Sequence, residues 1–308
     1  LGVLPGLTVN RRTRGGKNVM EHVERFAPSP TGRLHLGHAF SAITAHDAAR
    51  AAGGRFLLRI EDIDASRCRP AFEAALAGDL AWLGLSWEVP PLRQSTRQGA
   101  YAGALARLRA GGLLYPCDCT RRDIASALDA PQEGAAEPDG PVYPGTCRGR
   151  DESDVMARAH AWRLDMERAI VALGGDAAVA ALGFEELDEG PQGQRGFIAL
   201  DPGALLRGVG DVVLARKDIA TSYHLAVVTD DSHQMVSHVT RGRDLFGATA
   251  IHRVLQALLG LPTPCYRHHR LIRDASGRRL AKRDAAPALA DLRAAGAAPE
   301  DIRRMLGL

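Results

Sequence analysis

Apolar positions along the chain fall into short runs divided by turn signals, and the period of the runs alternates. Val23–Ala27 reads as a short strand, ended by Pro28 and Pro30, which cannot donate to a ladder. From Gly37 to Ala52 the placement of Phe40, Ile43 and Ala48 predicts a helix, and Gly53-Gly54 ends it. Residues 55–60 predict a second strand, closed by Glu61-Asp62. Helical spacing returns over 70–83 and 96–110, and Leu113-Leu114-Tyr115 predicts another strand. Such a strand, helix, strand rhythm predicts an α/β protein with a parallel, doubly wound sheet.

Residues 116–195 break the rhythm and read as an insertion. Asp129–Gly145 is loaded with Pro and Gly, and a second turn-rich patch covers Gly190–Gly196. The α/β pattern then resumes. Residues 211–216, 224–228 and 235–239 read as buried strands, and 245–259 as an apolar helix. A strand over 266–272, a loop over Arg273–Asp284 and two short helical stretches follow. The expected organisation is a disordered leader over 1–20 and a catalytic body over 21–115 and 196–260. The insertion over 116–195 and a loop-and-helix region over 261–308 complete it.

Composition narrows the class. With 308 residues, 45% hydrophobic and 24% charged, the chain is ordinary globular material for about two domains. No stretch reaches the roughly 18 apolar residues of a membrane helix. A net charge of +3 neither requires nor excludes a basic face for nucleic acid. Lysine occurs only at 17, 217 and 282, against an Arg-rich background, so a lysine beside candidate chemistry is informative. Five cysteines, scattered and odd in number, suit a reducing, cytoplasmic setting.

The most informative stretch is Arg25-Phe26-Ala27-Pro28-Ser29-Pro30-Thr31-Gly32-Arg33-Leu34-His35-Leu36-Gly37-His38. A strand ends, a Pro/Gly turn follows, and two histidines flank a glycine at a helix start. The helix mouth presents N–H groups and partial positive charge, and two imidazoles beside it suit a nucleotide's phosphates. A bare His-x-Gly-His is more often a helix cap with two surface histidines; the whole context changes the weighting. The segment resembles the first signature of class I aminoacyl-tRNA synthetases of the glutamyl type. Arg59-Ile60-Glu61-Asp62, Trp82–Trp87, the run from Asp211 through Asp231, His238–Gly242 and Leu258–Pro262 extend the likeness over most of 23–284. Arg279-Leu280-Ala281-Lys282-Arg283 takes the place of the second signature. It departs from that signature at Arg279, where a lysine is usual, and at Ala281, where a serine is usual.

The resemblance implies a Rossmann-like core, ATP as substrate with Mg²⁺, and activation of glutamate to glutamyl-adenylate. His35, Gly37, His38 and Lys282 would meet ATP, and His35, His38 and Lys282 would be catalytic. Arg25, Phe26, Ala27, Pro28, Ser29, Glu61, Tyr223 and Arg241 would line the glutamate pocket, with Glu61 on the α-amino group. The residue types agree, since a guanidinium forks onto a carboxylate and a carboxylate pairs with an ammonium. The chain stops soon after Lys282, before the anticodon-binding region of ordinary glutamyl enzymes. It therefore resembles the glutamyl-Q branch, which transfers glutamate to queuosine in the anticodon loop of tRNA(Asp). A monomer acting on L-glutamate and that tRNA is expected, with no membrane partner. The alternatives are a glutamyl-tRNA synthetase-like enzyme charging a 3′ end and a non-catalytic tRNA-binding paralogue.

Cys117-x-Cys119 and Tyr143-x-x-x-Cys147 cluster in the insertion. Three thiolates leave one position of a tetrahedral zinc to fill. By the same resemblance Tyr143 is the fourth ligand, with His160 as a substitute. The bland reading is three reduced, buried thiols; the favoured one is a single structural Zn²⁺. Cys68 and Cys265 read as packing residues, and His268 and His269 as either nucleotide neighbours or surface groups.

Overall fold

The computed structural model describes residues 21–128, 142–273 and 287–308. The expected leader, most of the Pro/Gly loop, and Arg279, Ala281 and Lys282 lie outside the described residues.

Three parallel strands come first: β1 (Val23–Phe26), β2 (Arg55–Ile60) and β3 (Leu92–Arg93), in the order β1-β2-β3. Between them run the helices α1 (Leu36–Ala51) and α2 (Pro70–Trp82), and α3 (Gln98–Ala110) follows. A second sheet has the order β7-β6-β10-β9. It is built from β6 (Gly183–Glu186), β7 (Gly196–Ala199), β9 (His238–Gly242) and β10 (Cys265–His269). In it β10 is parallel to both β9 and β6. The two sheets meet where the Ser237 amide donates to the Val23 carbonyl at 3.0 Å and the Val23 amide donates to Ser237 Oγ at 2.7 Å. From that junction the chain winds outward through β2 and β3 on one side and through β10 and β6 on the other. The junction is therefore a topological switch point, where a crevice opens at the carboxyl ends of the strands.

A third, antiparallel sheet joins β4 (Leu114–Cys117), β5 (Ala161–Leu164) and β8 (Val213–Ala215). Sheet membership thus crosses the expected limits of the insertion: β6 pairs with β10 of the expected 261–308 region, and β8 of the expected body pairs with β5. The third sheet shares its core with the body. Leu114, Leu164 and Leu214 pack in one cluster with Leu225, Val254 and Leu255. Cys117, Tyr143 and Cys147 form a separate, small buried cluster with Tyr115.

Residues 224–228 correct a sequence expectation: they are helix, not strand. They belong to α9 (Tyr223–His233), capped by the Ser222 side chain. The helix is buried on nearly all sides, from His224 to Val228 and again at Asp230 and Asp231, so no polar stripe marks its period. Helix α10 (Ala248–Leu259) packs beside it, and α11 (Leu289–Ala294) and α12 (Pro299–Leu306) end the chain. The shorter helices are α4 (Arg121–Leu128), α5 (Glu152–Met156), α6 (Met166–Ala172), α7 (Asp176–Ala180) and α8 (Pro202–Ala204). No described helix is long and apolar enough to cross a membrane.

Candidate functional site

A cavity of about 420 Å³ lies at the switch point. That is within the usual range of roughly 300–1,000 Å³ for a small-molecule site. Its wall contains Arg25, Phe26, Ala27, Pro28 and Ser29 from the end of β1, Glu61 from the end of β2, and Tyr223 from α9. Arg241 from β9 and His35, Gly37 and His38 from the mouth of α1 are also in the wall, which leaves only Lys282, outside the described residues, unplaced among the ATP and glutamate residues named from the sequence. The Glu61 amide donates to the Pro28 carbonyl at 3.0 Å, which holds the two strand ends together.

At one end the two histidines cap α1. The Gly37 amide donates to His35 Nδ1 at 3.1 Å, and the His35 amide donates to His38 Nδ1 at 3.2 Å. An acceptor Nδ1 places the proton of a neutral imidazole on Nε2. Both rings therefore present an N–H on the side away from the cap. Their centroids stand 3.8 Å apart beside a helix mouth with no acidic residue in its first turn. The capping role and a phosphate-facing role use different ring nitrogens and coexist. A Cβ on Gly37 would approach the His35 ring to 3.0 Å, so the glycine permits this stacking.

The other end is a buried cluster of charge. Arg25 Nε donates to Asp231 Oδ1 at 3.1 Å, and Arg59 Nη1 donates to the same oxygen at 2.6 Å. Arg59 Nη2 also donates to Glu61 Oε1 at 3.2 Å. Burial works to raise the Asp231 carboxyl, but the two guanidinium groups outweigh it and hold it below the usual carboxylate range. For Glu61 burial wins over Arg59 and Arg25, and its carboxyl is pushed up. Burial likewise pushes the Tyr223 phenol up.

Arg241 is 5% exposed and has a different environment. Its Nε donates to His268 Nε2 at 3.0 Å, Nη1 to His252 Nδ1 at 3.1 Å, and Nη2 to Thr249 Oγ1 at 2.6 Å. Among the described residues no carboxylate stands at ion-pair distance from it.

The described ends of the second-signature segment flank the same cavity. Ile272 lies in its wall, and Ala288 forms an isolated bridge with His35. Neither His268 nor His269 is a surface group, at 0% and 4% exposure. His269 lines the cavity and lies 2.5 Å from Ser41 Oγ, whereas His268 stands behind Arg241.

Away from the cavity, the sulfurs of Cys117, Cys119 and Cys147 lie within 4.8 Å of one another. Tyr143 Oη lies 3.4 Å from both Cys117 Sγ and Cys119 Sγ and accepts the Cys147 amide at 2.9 Å. His160 instead turns to the Arg158 carbonyl at 2.9 Å. The donor set that converges is thus three thiols and a phenol, which could hold a metal ion. Lys217 donates to the Cys119 carbonyl at 2.9 Å and fastens the loop from behind.

Asp231, Arg59, Glu186, Thr249 and His252 were assigned no site role from the sequence, and His268 was read there only as a nucleotide neighbour or a surface group. A signal existed for Asp231, the second of two acids that follow the apolar run Leu225–Val228 after Thr229. For the two histidines no local pattern distinguishes a buried ring from a surface one.

A cavity at a switch point, with an imidazole-lined helix mouth at one end and buried arginines at the other, suits a nucleotide and a small acid. The comparisons with known proteins agree. Residues 22–308 match the model of tRNA synthetases class I (E and Q), catalytic domain, and the chain belongs to that family of ligases. It is 58% identical over 289 residues to the glutamyl-Q tRNA(Asp) synthetase of Rhodobacter capsulatus, covering 93% of this chain and 100% of that protein. The enzyme of the same name from Symbiobacterium thermophilum is 42% identical, over 90% of this chain and 83% of its own length. Among solved structures, the glutamate-tRNA synthetase of Elizabethkingia anophelis superposes with a TM-score of 0.67 at 25% identity. The match covers 86% of this chain and 53% of that one, so the chain spans about half the length of this solved relative.

Proposed function

We propose that the cavity binds glutamate and MgATP and forms glutamyl-adenylate, and that the chain then transfers glutamate to queuosine in tRNA(Asp). The observation that carries the first half is that one cavity joins His35 and His38 with Arg241, which has no carboxylate at ion-pair distance among the described residues. Arg25 and Arg59 pair with Asp231 and Glu61, whereas Arg241 donates to His268, His252 and Thr249 instead. Glutamate carries one net negative charge and one ammonium. Its side-chain carboxylate neutralises Arg241, and its ammonium meets Glu61, whose carboxyl burial pushes up.

An α-carboxylate oxygen attacks the α-phosphorus, a P–O bond forms, and the bond to the β-phosphate breaks with pyrophosphate leaving. The Nε2–H groups of His35 and His38 stabilise charge on the phosphates, with Lys282 contributing an ammonium. An acceptor hydroxyl of the tRNA then attacks the carbonyl carbon, and AMP leaves with the electron pair of the broken bond. The identity of the acceptor rests on the shared name of the two relatives above.

Cys117, Cys119, Tyr143 and Cys147 fit a zinc ion: the four donors converge, and Tyr143 Oη already lies among the thiols. Burial and the neighbouring thiols push the Tyr143 phenol up, so it needs a strong Lewis acid to lose its proton. When bound, the ion would supply a structural cross-link to a segment with a small core of its own.

The test is ATP–pyrophosphate exchange without tRNA, using glutamate, glutamine and aspartate, followed by transfer assays. Glutamate-dependent exchange and transfer to queuosine-containing tRNA(Asp), but not to the same tRNA lacking queuosine, are expected. Exchange with no preference for glutamate, or charging of tRNA(Glu) at its 3′ end, would overturn the proposal.

A further inference from the structure

Arg241 and His268 stand opposite each other in the register of β9 and β10, so their side chains leave the same face of the sheet. Behind His268 stands Glu186, the last residue of β6. Glu186 Oε2 lies 2.5 Å from His268 Nδ1, and Oε1 accepts the His268 amide at 3.0 Å. On the other side, His252 Nε2 lies 3.1 Å from His224 Nδ1. Glu186 and His268 are 2% and 0% exposed, and His252 is 2% exposed.

The proton positions follow from Arg241. A guanidinium only donates, so the ring nitrogens it meets, His268 Nε2 and His252 Nδ1, must be acceptors. The proton of His268 therefore sits on Nδ1 and is donated to Glu186. The proton of His252 sits on Nε2 and is donated to His224. Both rings are kept neutral, chiefly by burial and also by the nearby guanidinium, which lowers His268 to about 4 and His252 well below its ordinary value. The carboxylate of Glu186 is thus placed one ring away from Arg241. It orients the arginine through His268 without neutralising it directly.

We infer that Glu186, His268 and His252 form a buried positioning relay that aims Arg241 at an anionic substrate side chain and so sets the preference for glutamate over glutamine. The inference rests on the reading that Arg241 receives that side chain. Three of the five N–H donors of the guanidinium are committed to Thr249 and the two rings, which fixes its plane. Arg241 lines the cavity, so its two remaining donors are the ones left for a ligand. A carboxylate in the place of either ring would compete with the ligand; a mobile or apolar group would let the guanidinium turn.

The experiment compares His268→Asn, His268→Gln and Glu186→Gln with the parent, and with Arg241→Gln as a reference. Glutamate and ATP KM are read separately by pyrophosphate exchange, glutamate and glutamine are compared, and far-UV and thermal unfolding check the fold. His268→Asn keeps a partner for Glu186 but loses the acceptor at Nε2. It is expected to raise the glutamate KM by about ten- to a hundredfold and to reduce the preference over glutamine, with the ATP KM within about twofold. His268→Gln restores an oxygen near the Nε2 position and should recover most of the loss. Glu186→Gln presents a donor to Nδ1, moves the ring proton to Nε2 and faces Arg241 with another donor. It should therefore resemble His268→Asn.

Unchanged glutamate KM in folded His268→Asn and Glu186→Gln, with Arg241→Gln impaired, overturns the relay and leaves the reading of Arg241 intact. An Arg241→Gln protein with parental glutamate KM overturns that reading itself. Equal rises in glutamate and ATP KM, or no recovery by His268→Gln, would mark the relay as plain packing.

Discussion

Asp231 is where two buried arginines meet, and its removal takes the ion pair from Arg25 and leaves Arg59 with Glu61 alone. Asp231→Asn leaves Arg25 and Arg59 short of a carboxylate, a loss expected to cost about 3–5 kcal/mol, read as a shift in the urea midpoint. The pH sign follows from the lowered pKa. The folded form holds the ionised carboxyl more tightly than the unfolded form, so this stability is present above the unfolded value. It is lost as pH falls through the folded one. An acid titration of the parent against Asp231→Asn should show the difference in stability shrinking in that window; a difference constant down to the acid limit would contradict it. At this scale the sequence was readable where chemistry demanded unusual neighbours, as at His35-Leu36-Gly37-His38. It was mute where a common residue acquired its meaning from burial: nothing adjacent to His252 or His268 announces that each accepts a hydrogen bond from Arg241.

Among the elements, α1 is where folding and the proposed chemistry meet, because its two capping histidines also line the cavity. These tasks can be separated. His35→Asn keeps a good cap, so stability should change by about 0.5 kcal/mol or less, while pyrophosphate exchange falls about a hundredfold. His35→Ala should lose the same activity and about 1 kcal/mol of stability as well. Equal unfolding midpoints for the two variants would show that the cap contributes nothing. Strand β2 was legible as a short, nearly wholly buried run closed by Glu61-Asp62, and helices α1, α2 and α3 because each buries one face and is bounded by Gly or Pro. Helix α9 was not. Its core-facing surface extends almost all round, and the β-branched Val227-Val228-Thr229 mimics a strand. Tertiary burial overrode the local signal.

At the scale of the whole molecule, the parallel sheet and its switch point were foreseeable from the strand, helix, strand rhythm, but the pairing of β6 with β10 was not. Such pairings join residues far apart in sequence and are selected by cores that no local window contains. The same reasoning explains why the third sheet shares a core with α9 and α10, whereas the segment around Tyr143 and Cys147 has only a small cluster. Chelation should therefore act locally. Metal removal is expected to open the segment near 142–160 to protease while glutamate still raises the thermal midpoint of the remainder. Cooperative loss of the entire fold on chelation, or metal-free protein with unchanged cleavage, would show that the ion is not a local staple.

Arg241 carries a wider consequence. A protein selected only for robustness would set an acid beside so deeply enclosed a cation, and Thr249 stands near enough for an aspartate there to try. Such an acid would neutralise the guanidinium from outside the cavity and weaken its hold on the incoming molecule. Tolerance of an unbalanced charge and appetite for an acidic amino acid are then one quantity seen from two sides, and lineages that harden this corner of the fold would do so by closing it to their own substrate.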